Sequence, residues 1–213
     1  MKKSIKTARA SNSMANISQK WLNSVDATTF EIAEVFTHGY NKEMHGSEIA
    51  RLLNLPQRTI HRKLGSLCNI GVLKFLREGK NKLYSLNKTA PVTKQFMILT
   101  EGYKTLRFMK KDILVGQLFN EKPCGLIVFG SYARGDNKKE SDIDVVFLSN
   151  KTKKIEEFIS KSPVEIHAHF SNLSDIVQKI KNRDVLALEI KENHIIFGDI
   201  EETAVSFMEN QND

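Results

Sequence analysis

The sequence predicts an α+β protein built from two parts that are joined by a long helix. In residues 19–90, apolar side chains recur at helical spacing and are followed by two short runs typical of strands. From residue 122 onward, apolar runs of strand length alternate with helical segments, which predicts a mixed sheet flanked by helices. The chain has 213 residues, of which 40% are hydrophobic, enough for one large domain or two small ones.

Basic residues are concentrated in the first part of the chain. Residues 1–90 contain 15 lysines and arginines against 6 aspartates and glutamates, whereas residues 91–213 contain 17 against 19. The net charge of +7 therefore comes from the N-terminal part, which predicts a polyanionic partner there. Residues 1–18, rich in Lys, Ser and Asn, are expected to form a flexible basic tail that is either solvated or laid along a DNA backbone.

The composition predicts a cytoplasmic protein without a membrane association. No apolar run reaches the length of a membrane span, and the start of the chain lacks the apolar core of a signal peptide. The two cysteines, Cys68 and Cys124, lie within apolar stretches and show no metal-ligand spacing. Reduced, buried thiols are the simplest interpretation.

The N-terminal part carries two short helices separated by a tight turn. A helix over residues 27–37 comes first, and Ser47 is expected to cap the next one, which turns Ile49, Leu52 and Leu53 inward. A helix over residues 57–69 then follows. Its inner face carries Ile60, Leu64 and Leu67, its outer face Arg58, His61 and Arg62, and its flanks Thr59, Lys63 and Ser66. This arrangement predicts a helix-turn-helix with a basic outer face.

Two strand-like runs follow, over residues 72–77 and 82–86, around a turn with a basic tip. Helix, helix-turn-helix and hairpin in this order resemble a winged helix-turn-helix DNA-binding domain, here over residues 19–90. The resemblance implies duplex DNA as a partner, with protein contact as the alternative use of the fold. The residues expected at the DNA are Arg58, Thr59, His61, Arg62, Lys63, Lys80 and Lys82.

Residues 91–121 are predicted to form a linker that is mainly one helix, running from Thr93 to Phe119. Pro91 marks its start, because proline is not tolerated deep inside a helix. The apolar residues of this helix could pack on the two parts of the chain or form the seam of a homodimer. A homodimer is the expected assembly.

The central motif of the second part joins a glycine turn to a pair of carboxylates. A buried strand over residues 125–129 ends at Gly130 and Ser131, where a small residue allows a phosphate to approach the backbone. A helix opening at residues 132–135 would direct free N–H groups at the same anion. Asp142 and Asp144 alternate in the next strand and so share one face. Together they predict a site for a metal-bound nucleoside triphosphate.

The pattern Gly-Ser-x-x-x-Gly followed by Asp-x-Asp resembles the signature of the DNA polymerase β-like nucleotidyltransferase superfamily, in particular its minimal nucleotidyltransferase group. The resemblance implies a nucleotidyltransferase domain over residues 122–202 that binds two Mg²⁺ ions and a nucleoside triphosphate. The expected nucleotide contacts are Gly130, Ser131, Arg134, Gly135 and Ser141.

The resemblance also implies that Asp142, Asp144 and a third carboxylate on the next strand act as metal ligands and catalytic groups. Glu165 is the only carboxylate of the strand predicted over residues 164–170, although the family more often has Asp there. His167 and His169 share its face by alternation, either as surface residues or in contact with substrate or metal. A helix capped by Ser174 and running to about residue 191, a short strand at 194–198 and a polar tail over 203–213 complete the prediction.

Similar small proteins include antitoxins that transfer AMP to a HEPN-type toxin, and enzymes that modify small molecules such as aminoglycosides. Together with a winged helix, the resemblance implies a DNA-binding nucleotidyltransferase that acts on a protein or small-molecule hydroxyl, as an antitoxin or a self-regulator. The alternative is a transcription regulator whose nucleotidyltransferase domain only senses nucleotide.

Overall fold

The computed structural model describes residues 25–111, 113–120 and 122–209, so the predicted tail of residues 1–18 lies outside the described residues. The first part contains α1 (Ala27–Glu34), β1 (Met44–His45), α2 (Gly46–Leu52), α3 (Gln57–Asn69), β2 (Leu73–Glu78), β3 (Asn81–Leu86), α4 (Pro91–Lys111) and α5 (Ile113–Asn120). The second part contains β4 (Leu126–Phe129), α6 (Gly130–Arg134), β5 (Ile143–Phe147), α7 (Lys153–Ser160), β6 (Ile166–Phe170), α8 (Leu173–Lys181), α9 (Val185–Glu192), β7 (Ile195–Phe197) and α10 (Ile200–Glu209).

The N-terminal part packs α1, α2 and α3 beside a small antiparallel sheet of strand order β1-β3-β2. The apolar stripe predicted on α3 is confirmed, because Ile60, Leu64 and Leu67 are all fully buried. The hairpin is also confirmed, with Glu78 paired to Asn81 around a two-residue turn. Gly79 opens that turn at φ 60°, a left-handed conformation that suits glycine.

The start of α2 differs from the prediction. Its N-cap is His45, whose backbone N–H donates to the Glu48 carboxylate at 2.7 Å, so Ser47 lies inside the helix instead of capping it. The prediction relied on the Ser47 hydroxyl as the capping group. The Glu48 carboxylate, three residues after His45, accepts the N–H group at this end of the helix instead. Leu52, predicted to face inward, is 62% exposed at the end of α2.

The predicted continuous helix is divided into α4 and α5. The two helices pack closely, since a Cβ atom on Gly116 would lie only 2.6 Å from the carbonyl oxygen of Met109. Pro91 stands in the first turn of α4, where its missing N–H costs no hydrogen bond. The inner face of α4 packs on both parts of the chain, whereas Leu99 and Leu106 are exposed.

The second part is built on a four-stranded mixed sheet of order β6-β5-β4-β7, in which only β5 and β6 run parallel. Both faces are covered. Val145 and Phe147 pack with Phe119 and Phe158 on one side, while Ile127 on the other side belongs to the same apolar cluster as the core of the N-terminal part. The protein is therefore a mixed α+β structure whose two parts share one of two apolar clusters, while the second cluster lies on the other face of the four-stranded sheet.

A buried polar cluster also joins the two parts. The Glu101 carboxylate of α4 accepts a hydrogen bond from the Tyr40 hydroxyl at 2.6 Å and pairs with Lys104 Nζ at 2.6 Å. His194 Nε2, next to β7, lies 3.1 Å from the same carboxylate. Burial favours the neutral acid, but Lys104 and His194 hold the pKa of Glu101 well below its usual range. The charged form of Glu101 thus links segments that are distant in sequence.

Two predictions for the C-terminal region were wrong. The helix expected from Ser174 to about residue 191 is two helices, α8 capped by Asn172 and α9 capped by Asp184. Arg183 between them has φ 59°, which no helix residue adopts. The segment expected as a polar tail instead forms α10 up to Glu209, which buries Phe207 and Met208.

Both cysteines are free and half-buried, and burial raises the pKa of each thiol. Among the helices of the described ranges, none combines the length and the apolar character that crossing a bilayer requires.

Candidate active site and basic cleft

The glycine turn and one aspartate are in direct contact. β4 ends at Phe129, and Gly130 begins the five-residue α6 with φ 66°. A Cβ atom on Gly130 would lie 2.3 Å from Oδ2 of Asp144, well inside any permitted contact. The carboxylate can approach the turn this closely only because residue 130 has no side chain.

The first turn of α6 provides backbone N–H groups beside that carboxylate. Ser131 is half-buried in this turn, and its carbonyl accepts the N–H groups of Gly135 and Asp136 at 2.9 and 3.1 Å. Gly135, at φ 79°, ends the helix. The helix therefore begins two residues earlier than predicted, at Gly130, and Gly135 caps its C-terminal end.

Arg134 and Ser141 are engaged within the scaffold of this loop. The Arg134 guanidinium pairs with Glu189 of α9 at 2.7 Å and with Asp136 at 3.3 Å, and the hydrogen bond to Asp136 raises its pKa. Ser141 Oγ accepts the N–H of Lys138 at 2.8 Å. For Arg134 and Ser141 to contact a nucleotide as predicted, these bonds within the protein would have to be replaced by bonds to the nucleotide.

The carboxylates converge at the edge where β5 and β6 begin. Asp142 lies just before β5 and Asp144 lies within it, opposite His167 in the parallel register. Glu165 lies just before β6 and not within it, but its carbonyl still accepts the N–H of Ile143 at 2.9 Å. Ligand atoms of Asp142, Glu165 and His167 all lie within 4.8 Å of one another.

His167 stands between the two aspartates. Its Nε2 lies 3.4 Å from Asp142 Oδ2 and its Nδ1 lies 3.6 Å from Asp144 Oδ1. His169, two residues on, instead places its ring 5.6 Å from that of Phe129. Alternation along the strand correctly predicted that both histidines lie on the face that carries the carboxylates. The sequence contains no signal for the register between β5 and β6, which places His167 beside them.

The donor set fits a divalent cation. Carboxylate oxygens are the ligands of hard ions such as Mg²⁺, and an imidazole nitrogen adds a ligand that many divalent ions accept. The carboxylates of Asp142 and Asp144 are 39% and 31% exposed, so an ion can reach them from solvent. Asp142, Asp144, Glu165 and His167 are the residues of the described chain that would hold it.

His61 of α3 and Lys80 and Lys82 of the hairpin line a second site, a cleft of about 400 Å³. Arg58, Arg62 and Lys80 are exposed, and Thr59 is half-buried. Arg58 and Arg62 lie on α3 outside the lining of this cleft, whereas Lys80 lies on its wall.

Two residues predicted at the DNA have other contacts. Lys63 is 5% exposed and pairs with Asp26 at 2.7 Å, because its position three residues after Ile60 turns it toward α1. Its predicted role at the DNA is therefore wrong. The ammonium group of Lys82 lies 4.1 Å from the centre of the Phe75 ring, a cation–π contact that still leaves it on the cleft wall.

A glycine turn at the end of β4 lies beside a pair of carboxylates at the start of the adjacent strand β5, an arrangement typical of nucleotidyltransferases. Comparison with known proteins agrees with this class. Residues 115–204 match the family model of the nucleotidyltransferase domain. A relative from Methanocaldococcus jannaschii, named "Putative protein adenylyltransferase", is 35% identical over 77 residues, which cover 36% of this chain and 74% of the relative. The chain belongs to this nucleotidyltransferase family. No solved structure matches it.

Proposed function

We propose that the protein binds duplex DNA through residues 19–90 and transfers AMP from ATP to a hydroxyl group of a partner protein through residues 122–202. Residues 91–121 connect the two parts of the chain that carry these activities. The observation that carries the transfer reaction is the contact between Gly130 and Asp144, where a Cβ atom would come within 2.3 Å of the carboxylate. This closeness supports the proposal, because the turn proposed to bind phosphate lies directly beside the carboxylate proposed to bind metal.

The site residues have distinct roles in this reaction. The N–H groups at the start of α6 and the Ser131 hydroxyl hold the terminal phosphates of ATP. Asp142, Asp144 and Glu165 would hold two Mg²⁺ ions, which would supply a lower pKa to the acceptor hydroxyl and positive charge to the phosphates. The acceptor hydroxyl loses its proton to solvent and its oxygen attacks the α-phosphorus in line. The bond from this phosphorus to the bridging oxygen breaks, and pyrophosphate leaves on the side of the glycine turn.

The choice of AMP and of a protein acceptor is supported by the name of the Methanocaldococcus jannaschii relative, "Putative protein adenylyltransferase". A protein acceptor also agrees with the resemblance to antitoxins that modify a HEPN-type toxin, which we propose as the class of partner. The exposed Leu99 and Leu106 of α4 support a homodimer formed through this helix.

The DNA-binding proposal is supported by the arrangement of α3 and the hairpin on one cleft. A helix-turn-helix followed by a hairpin is the layout of a winged helix, in which the second helix enters the major groove. Arg58, His61 and Arg62 project from α3 on the face opposite its buried stripe, and Lys80 occupies the hairpin tip.

ATP binding is expected to depend on Mg²⁺ and on the aspartate pair. Calorimetry of the Asp142→Asn/Asp144→Asn double variant should show at least about a tenfold loss of the Mg²⁺-dependent affinity, because two metal ligands are lost. Glu140→Gln, which removes one negative charge from the exposed loop before Asp142, is the matched control and should bind like wild type. Equal ATP affinity with and without Mg²⁺ would contradict the metal role.

The same variants are used to test the transfer of AMP. With extract of the source cells, label from ATP carrying ³²P at the α-phosphate should appear on a protein, and label from the γ-phosphate should not. Label from the γ-phosphate would identify phosphoryl transfer instead. Mg²⁺-dependent ATP binding without any labelled acceptor would favour the transcription regulator that only senses nucleotide.

DNA binding is expected to depend on two kinds of contact. Lys80→Ala should weaken binding to all duplexes alike and reduce the slope of log affinity against log salt by about one, because a phosphate contact is lost. Arg58→Ala or Arg62→Ala should cost about 1–3 kcal/mol on the preferred sequence if the guanidinium reads a guanine edge. The measurement is a titration of the upstream DNA of the gene and of a scrambled duplex at several salt concentrations.

Lys161→Ala is the control for this titration, because it removes an exposed charge at the end of α7 in the other part of the chain. The salt slope of this variant should equal that of wild type. If DNA binding were absent at low salt, or if its affinity did not change with salt concentration, the N-terminal part would be assigned to protein contact instead.

A further inference from the structure

We propose that His167 is a direct metal ligand and that, with Asp142 and Glu165, it forms a site that prefers a first-row transition metal ion such as Mn²⁺ to Mg²⁺. The inference rests on the proposed function for the use of a divalent ion at this site. It goes further in naming a nitrogen ligand and the class of ion that the ligand selects.

The backbone places the three side chains on one face. β5 and β6 pair in parallel, with Ile143 opposite Ile166 and Asp144 opposite His167. The hydrogen bond from the Ile143 N–H to the Glu165 carbonyl, at 2.9 Å, extends this pairing one residue beyond β6. The positions of the histidine and the glutamate are therefore fixed by the sheet and do not depend on a free loop.

The distances leave room for an ion. The ring nitrogens of His167 lie 3.4 Å from Asp142 Oδ2 and 3.6 Å from Asp144 Oδ1. Both distances exceed the roughly 2.7–3.2 Å of a good N–H···O hydrogen bond, so neither nitrogen is held by a strong bond to a carboxylate. Two neighbouring ligands that each lie about 2.1 Å from one ion are about 3 Å apart, so a small side-chain adjustment closes the site.

The chemistry of the donors sets the preference. Oxygen ligands alone suit Mg²⁺, which keeps much of its hydration shell and rarely exchanges a water for nitrogen. Imidazole nitrogen binds Mn²⁺ and the ions that follow it in the series more strongly than it binds Mg²⁺. The ring of His167 is 56% exposed, so an ion gains this ligand without forcing the side chain out of a packed core.

Mn²⁺ bound to the full-length protein provides a direct test. Electron spin-echo envelope modulation of the Mn²⁺ complex should show ¹⁴N modulation from a coordinated imidazole. The modulation should disappear in His167→Gln and persist in His169→Gln, the matched control, whose ring faces Phe129. Circular dichroism should show that both variants are folded, since both histidines are exposed.

Ion affinities measured by calorimetry without nucleotide give a second readout. His167→Asp should lower the ratio of Mn²⁺ to Mg²⁺ affinity by about tenfold, because the nitrogen ligand becomes a third carboxylate. Mn²⁺ bound to wild type without ¹⁴N modulation, or modulation that survives in His167→Gln, would overturn the role of His167. Either result would leave the proposed function intact, which the ATP titration with Mg²⁺ tests separately.

Discussion

Replacing Glu101 with alanine is expected to lower the free energy of unfolding by about 3–5 kcal/mol, the cost of removing one partner from a buried ion pair. Lys104, only 3% exposed, would remain buried with its charge opposite a cavity. The Tyr40 hydroxyl and His194 Nε2 would lose the same carboxylate, and each unsatisfied buried polar group adds to the cost. Because these partners come from both parts of the chain, the loss should weaken the contact between the parts.

Chemical denaturation followed by circular dichroism measures this change. Glu189→Ala is the control, since this glutamate also lies in a helix and pairs with an arginine, but its side chain is 40% exposed. A pair of this kind contributes about 0–1 kcal/mol, because solvent screens the charges. If Glu101→Ala and Glu189→Ala unfolded at the same denaturant concentration, the buried cluster would not stabilise the fold.

The sequence predicted the elements whose pattern is local. The α3 helix repeats its apolar residues at Ile60, Leu64 and Leu67, all of which are fully buried, and the hairpin has glycine where the turn needs a left-handed residue. The nucleotidyltransferase motif was recognised because its glycines and aspartates lie close together in sequence. Such features depend on residues that are close together in sequence, so they can be predicted without a structure.

The errors arose where distant contacts decide the structure. α10 has two glutamates in its first turn and looks polar, yet Phe207 is fully buried in the shared core. Lys63 looks like one more basic residue of a DNA-binding helix, but Asp26 binds it from α1. The place of His167 between two aspartates follows from the register of β5 and β6, which pairing across the sheet sets and local sequence does not encode.

Replacing Gly130 with alanine is expected to reduce nucleotidyl transfer by at least about a hundredfold, as is typical when a catalytic group is misplaced by 1 Å. The new Cβ atom would lie 2.3 Å from Asp144 Oδ2, so the carboxylate must move away from its position beside the turn. The backbone adds a second cost, since residue 130 has φ 66° and a side chain in this region is strained by about 1–2 kcal/mol. The loss of activity should therefore exceed what the loss of stability explains.

Gly79→Ala separates the two effects. Gly79 has φ 60°, close to that of Gly130, but a Cβ atom there would meet nothing within 4 Å. This variant should lose a similar amount of stability to backbone strain while its rate of nucleotidyl transfer stays within about twofold of wild type, because the hairpin tip lies in the other part of the chain. Transfer rates are compared at a temperature where both variants are fully folded. Equal rates for Gly130→Ala and Gly79→Ala would show that the position of Asp144 against the turn does not govern the reaction.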